Sequence, residues 1–475
     1  METPPRLVWQ KTLAPTSSLH FAQSARGLRV VRGIIHLHSV YSHDACDGDP
    51  QPGGQPNAPC LGHLRQALCA TRQDFALLTD HAVHMTEAPF EQLFLTDTAA
   101  GDEAEHATGE VGVDVVGSNL RCDDAVAAGQ RVHIAVGGEN ELMPVALRRH
   151  LGDTAEARSQ SMHGETLAAE QAFQQAGGAV LMPHGESRSI ELLRQLAPAL
   201  AGMEVYNLHA NIDPKIRSTY LGLDGLGAVA GLTPWLAATP VEQGGPEPDL
   251  AFLGFLQANL NQLGKLDTLL AEGHRLLPVL GSDIHENSFK QELADGERGD
   301  SYRRLMRWFG NHLLVPPGPL TTASLRDAVV HGRGYGVFHI FGEPEGFDFY
   351  ALSPSPAPGT TFELGDTAPL GATLHLQAPR PLPATETSSE PVLRLSVLYI
   401  AAGGAGSEVV ATQSVTAAEL RAGAALRVDT SLRAPGAYRA EVQIVPRHLL
   451  HLLGESASSY THEYPYLYSG PIYVK

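Results

Sequence analysis

Gly33-Ile34-Ile35-His36-Leu37-His38-Ser39 and, far along the chain, Gly281-Ser282-Asp283-Ile284-His285 decide how this sequence reads. Each motif completes a short apolar run of strand character, residues 28–35 in one case and 276–280 in the other. Side chains two apart in an extended chain point to the same side. His36 and His38 are therefore placed to share one metal ion, and Asp283 and His285 to face one site. Imidazole and carboxylate are the usual protein ligands of zinc, manganese and iron. A single His-x-His arises readily by chance, so its weight comes from its company. Residues 75–79 lead into Asp80-His81. Residues 132–136 lead through Gly137-Gly138 to Glu139. Residues 179–182 lead through Pro183 to His184, and 203–206 lead to Asn207 and His209. An apolar run with a histidine or an acid at its exit recurs too often for satisfied core histidines.

The 475 residues suggest about two to three domains, and 43% hydrophobic residues can fill a sizeable core. A formal net charge of -19 argues against nucleic-acid backbones and anionic membranes as partners. A small phosphorylated substrate stays compatible, because bound metal ions reverse the local sign. Most of the 22 histidines precede residue 340. No apolar run reaches the roughly 18 residues of a transmembrane helix. Residues 1–13, with Pro4 and Pro5, lack the apolar core of a signal peptide, so the cytoplasm is the default expectation. Oligomeric state is not legible. Cys46 and Cys60 bracket a Pro/Gly-rich loop, Cys69 and Cys122 stand apart, and no Cys-x-x-Cys occurs. Cys46 and Cys60 pair if the protein is exported and stay free thiols in the cytoplasm; the sequence leaves both open.

Up to about residue 345, strand-like and helix-like segments alternate. Strands are expected to end near Ile35, Thr79, Val136, Met182, Tyr206, Leu280 and His339. Helices are expected over 61–70, 167–176 (stopped by Gly177-Gly178), 190–200, 266–272 and 324–331. Such a βα repeat implies a parallel sheet with helical crossovers. Seven strands with ligands on one side fit a closed TIM-like barrel, whose chemistry sits at the C-terminal strand ends, better than an open sheet. No Gly-x-Gly-x-x-Gly follows the first strand. Beyond 345 the period becomes two. Leu393, Leu395, Val397 and Tyr399 alternate with other residues, as do Tyr438, Ala440, Val442 and Ile444. That pattern reads as antiparallel strands with one buried face. Pro-rich stretches at 354–358 and 379–391 read as loops. The expected division is an N-terminal extension (1–27), a metal-dependent hydrolase domain (28–345) and a small all-β sandwich (346–475) for packing, binding or assembly.

His36-Leu37-His38-Ser39-Val40-Tyr41-Ser42 resembles the first motif of the polymerase and histidinol phosphatase (PHP) family. Thr79-Asp80-His81 resembles its second. Gly137-Gly138-Glu139, the exit at His184 and Gly281-Ser282-Asp283-Ile284-His285 resemble the later ones, in the same order. The resemblance covers roughly residues 28–345. It implies a distorted (β/α)7 barrel, two or three divalent ions (Zn, Mn or Fe) and hydrolysis of a phosphoester. It assigns His36, His38, Glu139 and Asp283 to one ion. Glu139 bridges to a second ion held by His184, and His81, His285 and His43 hold a third. There are departures. The family often has Asp at the position of His43, with Asp44 as the competitor here. His184 follows Pro183, where His followed by Pro is common. The second imidazole for the second ion falls among His150, His163 and His209, with His150 preferred because it comes soon after Glu139.

The chemistry implied is metal-assisted. Two close ions lower the pKa of water and stabilise the attacking and leaving oxygens of an in-line displacement at phosphorus. Asp283 is expected to take the water's proton. Asp80, beside His81, is expected to orient an imidazole. Arg188 matches two phosphate oxygens, its competing role being that of a solvated loop residue. Glu204 and Asn207 are expected to shape the barrel mouth. His133 reads as core, and His20, His274, His312, His331, His375 and His448 carry no motif. No nucleophile elbow is present. Two other readings compete. An amidohydrolase-type enzyme acting on C–N or C–O bonds also begins with His-x-His, but often bridges its ions with a carboxylated Lys, and no Lys sits at a comparable strand end. A non-catalytic binding or assembly protein would be expected to have lost some of these ligands.

Overall fold

The computed structural model describes residues 9–13, 26–107, 114–354, 359–382 and 390–475. Most of the expected N-terminal extension, and parts of both Pro-rich stretches, lie outside the described residues. Six strands run parallel: β1 (Arg29–Leu37), β2 (Phe75–Leu78), β3 (Arg131–Val136), β4 (Ala179–Met182), β5 (Gly202–Asn207) and β6 (Leu277–Ile284). Their spatial order is β3-β2-β1-β6-β5-β4. Every residue of β2, β4, β5 and β6 is buried, which is why these strands are near-continuous apolar runs. A short strand, Met143–Val145, pairs antiparallel with β4. Gly138 N–H donates to Pro144 O, and Leu147 N–H to Val136 O, so the same strand meets the end of β3 and draws the two edges of the row together.

Helices fall where the periodicity expects them: Ala58–Ala70, Leu167–Gln175, Ile190–Leu196, Leu260–Ala271 and Thr322–Val330. Each begins at a residue whose side chain accepts a first-turn backbone N–H: Asn57, Thr166, Ser189, Asn259 and Thr321.

The all-parallel expectation needs correction. The segment expected as a seventh parallel strand, ending at His339, is Gly334–Val337 and runs antiparallel to Gly310–Val315. That strand in turn lies antiparallel to the first half of β1. Val115–Arg121 is antiparallel to β3. The large sheet is therefore mixed. A helix between two strands reads as a crossover in sequence, and only the pairing partner reveals its direction.

The alternating residues beyond 345 are buried as expected, on the paired strands Val392–Ala401 and Gly436–Val445. Asp348–Leu352, Thr361–Phe362, Thr373–Gln377 and Ala425–Asp429 form a second antiparallel sheet. The first sheet continues into the large one: Tyr464–Ser469 pairs with Gly436–Val445 on one side and with Gly334–Val337 on the other. A buried ion pair, Arg439 to Asp267 at 2.8 Å, adds a tie to helix Leu260–Ala271. Both cysteine pairs are bridged, Cys46–Cys60 and Cys69–Cys122, including the two residues that stand apart in sequence. Helix Ala58–Ala70 carries one half of each bridge. Among the described residues no helix is long and apolar enough to cross a membrane.

Candidate metal centre

The exits of the six parallel strands converge on one cluster of imidazoles and carboxylates. β1 delivers His36 and His38, though not by simple alternation. Its register with both β2 and β6 shifts between Ile35 and Leu37, and His36 sits at φ 68°. A bulge re-aims a side chain in this way. His184 (φ 44°) and Asp283 (φ 52°) are also left-handed. Each such non-glycine residue costs on the order of 1–3 kcal/mol and persists only where its surroundings over-determine it.

Asp283 is the hub. Its Oδ1 lies 3.3 Å from His36 Nε2 and 3.4 Å from His38 Nε2. Its Oδ2 lies 3.4 Å from His184 Nε2 and 3.3 Å from His209 Nδ1. Glu139 reaches both sides of the cluster: Oε1 is 3.3 Å from His184 Nε2, and Oε2 is 2.9 Å from His81 Nδ1 and 3.9 Å from His36 Nε2. Asp44 Oδ2 stands 3.2 Å from His285 Nε2 and 3.6 Å from His81 Nε2. Three overlapping groups have the compactness of metal-ligand sets: His36, His184 and Asp283; His36, His38 and Glu139; and His38, Asp44, His81 and His285.

The other ring nitrogens explain why these groups face inward. His36 Nδ1 is 2.6 Å from Glu204 Oε1, and His38 Nδ1 is 3.1 Å from Ser42 Oγ. His81 Nδ1 faces Glu139 O at 2.9 Å, and His285 Nδ1 faces Asp283 O at 3.0 Å. Each of the four imidazoles thus spends Nδ1 on the protein and presents Nε2 to the cluster, the arrangement that orients metal-binding histidines. His36 Nε2, His38 Nε2 and His285 Nε2 are buried and, among the described residues, face carboxylate oxygens at 3.2–3.4 Å without a well-formed hydrogen bond. An unmet buried polar atom costs about 1–3 kcal/mol. Three in one place, beside the Glu139 and Asp283 carboxylates, fit divalent cations, and these N and O donors suit zinc, manganese or iron.

The ionisable groups of the cluster act strongly on one another. Burial pushes Asp283 and Glu139 toward protonation. The charges of His36 and His184 on Asp283, and hydrogen bonds from His184 and His81 to Glu139, outweigh it and hold both carboxyls well below their usual range. Burial opposes charge on His36, but Glu204 and Asp283 overcome it and raise its pKa. His38 goes the other way, to about 3, through burial and the charge of His285.

Not every expected residue joins the cluster. His150 does not: its Nε2 is 2.9 Å from Ala88 O and its ring packs edge-on against Phe90. His163 is exposed and pairs with Glu141. His209 is brought in instead, because it follows the exit of β5 as the other ligand-type residues follow theirs. His43 is exposed, its ring 5.3 Å from that of His81, and Asp44 takes the inward place. Among the described residues Asp80 makes no hydrogen bond to an imidazole. Its carboxylate accepts from Ser39 N (2.5 Å) and Ser39 Oγ (2.7 Å), so it fixes the turn after His38 rather than a ring. Burial raises its pKa to about 6. Arg188 is engaged by Glu165 at 2.6 Å. Glu204, expected only at the mouth, contacts a cluster imidazole directly. A buried acid in mid-strand, two residues before the exit, was its one sequence signal.

No family model matches this chain, and no curated protein does. Among solved structures, a two-domain protein from Bacteroides vulgatus containing a predicted PHP-like metal-dependent phosphoesterase aligns over 98% of this chain and 99% of its own. The two share 12% identity with a TM-score of 0.32, a likeness too low to establish a common fold.

Proposed function

We propose that this chain is a metal-dependent phosphoesterase acting on a small phosphorylated molecule. The observation that carries the reading is the set of buried imidazole and carboxylate atoms that converge in compact groups at the strand exits. His36, His38, Glu139 and Asp283 would hold one ion. Glu139, with His184, His209 and Asp283, would hold a second, and Asp44, His81 and His285 a third. When bound, such ions supply activated water and neutralise charge on phosphoryl oxygens. The chain's own residues then have separate tasks. Asp283, between five imidazoles, receives the proton of the attacking water. Glu139 keeps the two halves of the cluster at fixed separation. In this reading residues 28–345 form a distorted α/β barrel of six parallel strands with antiparallel additions, and the C-terminal sheets form a sandwich that braces it. Bridging of all four cysteines further supports maturation in an oxidising compartment rather than the cytoplasm.

The amidohydrolase alternative gains nothing from the geometry. Lys265 donates to Gly185 O and Glu186 O, while the position between the ligand groups belongs to Glu139. The test is elemental analysis of purified protein with a screen of phosphomonoesters and phosphodiesters. Two or three ions per chain and metal-dependent phosphate release are expected. Less than one ion per chain after metal resupply refutes the reading.

A further inference from the structure

We propose that Glu204 is the positioning residue that locks two of the metal-holding groups into one unit. It is fully buried in β5. Its Oε1 meets His36 Nδ1 at 2.6 Å. Its Oε2 accepts from His184 N–H at 3.0 Å and from Asn207 Nδ2 at 3.0 Å. One carboxylate thus grips the bulged exit of β1, the left-handed turn after β4 and its own strand. A fourth element is fitted around it: a Cβ on Gly281, two residues before Asp283, would lie 1.9 Å from Glu204 Oε1. Glu204 therefore touches the strand exits that supply His36, His184 and Asp283, and neither Asp44 nor His81 is among its partners.

The chemistry demands an acceptor and nothing else. A carboxylate is acceptor-only, so the facing His36 Nδ1 carries a proton and Nε2 is the nitrogen that can be offered to an ion. The backbone N–H of His184 and the side-chain NH2 of Asn207 are donors as well. Glutamine has the same shape, but its NH2 would face at least one of these donors. The substitution Glu204→Gln therefore removes a hydrogen bond and adds a donor–donor clash where the pocket has no slack. Loss of a partner that orients a metal-binding histidine lowers metal affinity by roughly 10- to 100-fold.

This inference rests on the metal-centre reading, and the test separates the two. The full-length protein is stripped, titrated with Co(II) and compared with Glu204→Gln and Glu170→Gln. Glu170 is another fully buried glutamate, whose carboxylate has no hydrogen-bond partner and no contact with the cluster. Wild type and Glu170→Gln should bind the same number of ions and share one visible Co(II) spectrum. Glu204→Gln should lose affinity 10- to 100-fold at the positions served by His36 and His184, alter the corresponding bands, and keep the ion held by Asp44, His81 and His285. If wild type binds no metal, the functional reading itself fails. If wild type binds metal and Glu204→Gln matches it in affinity and spectrum, only the positioning role is overturned. Should Glu204→Gln not fold, nitrogen NMR of histidine-labelled wild-type protein loaded with Zn(II) decides. Nδ1–H with Nε2 coordinated at His36 supports the role, and coordination through Nδ1 refutes it.

Discussion

Cys46 and Cys60 close a loop of 14 residues, and Cys69 and Cys122 one of 53. In the chain-entropy picture the first constrains the unfolded state by about 3 kcal/mol and the second by about 4. Stability alone would make the longer bridge the more important. The site reverses the ranking. Asp44 lies two residues before Cys46 on the loop that the shorter bridge ties to helix Ala58–Ala70. Cys46 N–H donates to His285 O at 3.0 Å and Asp47 N–H to Glu286 O at 3.0 Å, so the bridged loop lies directly along the exit that carries His285. Tyr302 OH, bonded to His38 O at 2.9 Å, packs near the sulfur of Cys60. Opening the short bridge removes one anchor of the loop that carries Asp44, leaving its backbone bonds, Asn287 Nδ2 to Asp44 O at 2.9 Å and the Arg298–Asp47 ion pair to order a Gly- and Pro-rich segment. The perturbation is the pair Cys46→Ala with Cys60→Ala, set against Cys69→Ala with Cys122→Ala. Urea unfolding of stripped protein should show losses of about 3 and about 4 kcal/mol in that order. Metal content at matched free metal should show the opposite selectivity: one ion fewer in the first variant, the full complement in the second. Equal metal content in both variants would refute the idea that the bridge positions Asp44. Loss of metal in the second variant alone would show that the coupling runs through global stability.

His209→Ala should lower metal stoichiometry or affinity while His150→Ala leaves both unchanged; calorimetric titration distinguishes them, and the reverse result would restore His150. Glu139→Gln should keep the fold, lose affinity at two positions together and reduce phosphate release by several orders of magnitude; near-normal turnover with full metal would remove its bridging role. Glu170 has its pKa raised to about 8 by burial. A carboxyl whose folded value exceeds its unfolded one favours the folded state most at low pH, and that contribution is lost as pH climbs from about 4.5 to about 8. At 1.36 kcal/mol per unit the span is a few kcal/mol. Glu170→Gln should therefore flatten the pH dependence of urea stability over that window, and an unchanged slope would show that the carboxyl is solvated.

The cluster was legible wherever one rule sufficed: an apolar strand ends, and a ligand-type residue follows. That rule found His36, His38, His81, Glu139, His184, Asp283 and His285. It also pointed to His209, directly after β5, and failed only when sequence proximity to Glu139 was given more weight. Residues between Glu139 and His184 form a hairpin strand and helix that carry His150 away to Ala88. The choice between His43 and Asp44 was not readable, because the loop turns back through left-handed residues at Cys46 and Asp47 and alternation has no meaning there. Strand direction was equally hidden. Gly334–Val337 and Gly310–Val315 flank a well-capped amphipathic helix, the same pattern that elsewhere spans a parallel crossover.

The motif Gly281-Ser282-Asp283-Ile284-His285 shows why a ligand pattern holds more than ligands. Gly281 leaves space for the Glu204 carboxylate. Ser282 Oγ donates to His36 O at 2.8 Å and so holds the bulge that turns His36 inward. Ile284 O accepts from His38 N–H at 3.1 Å, fixing the second imidazole of the first motif. Asp283 and His285 alone reach the cluster. Two of the five positions therefore serve the other motif's backbone and a third serves Glu204, and the strain at His36 and Asp283 is carried by contacts each motif makes to the other. Sequence displays the two as separate strings. Physically they are one construction, since neither His-x-His nor Asp-x-His would keep its geometry with the other strand exit removed.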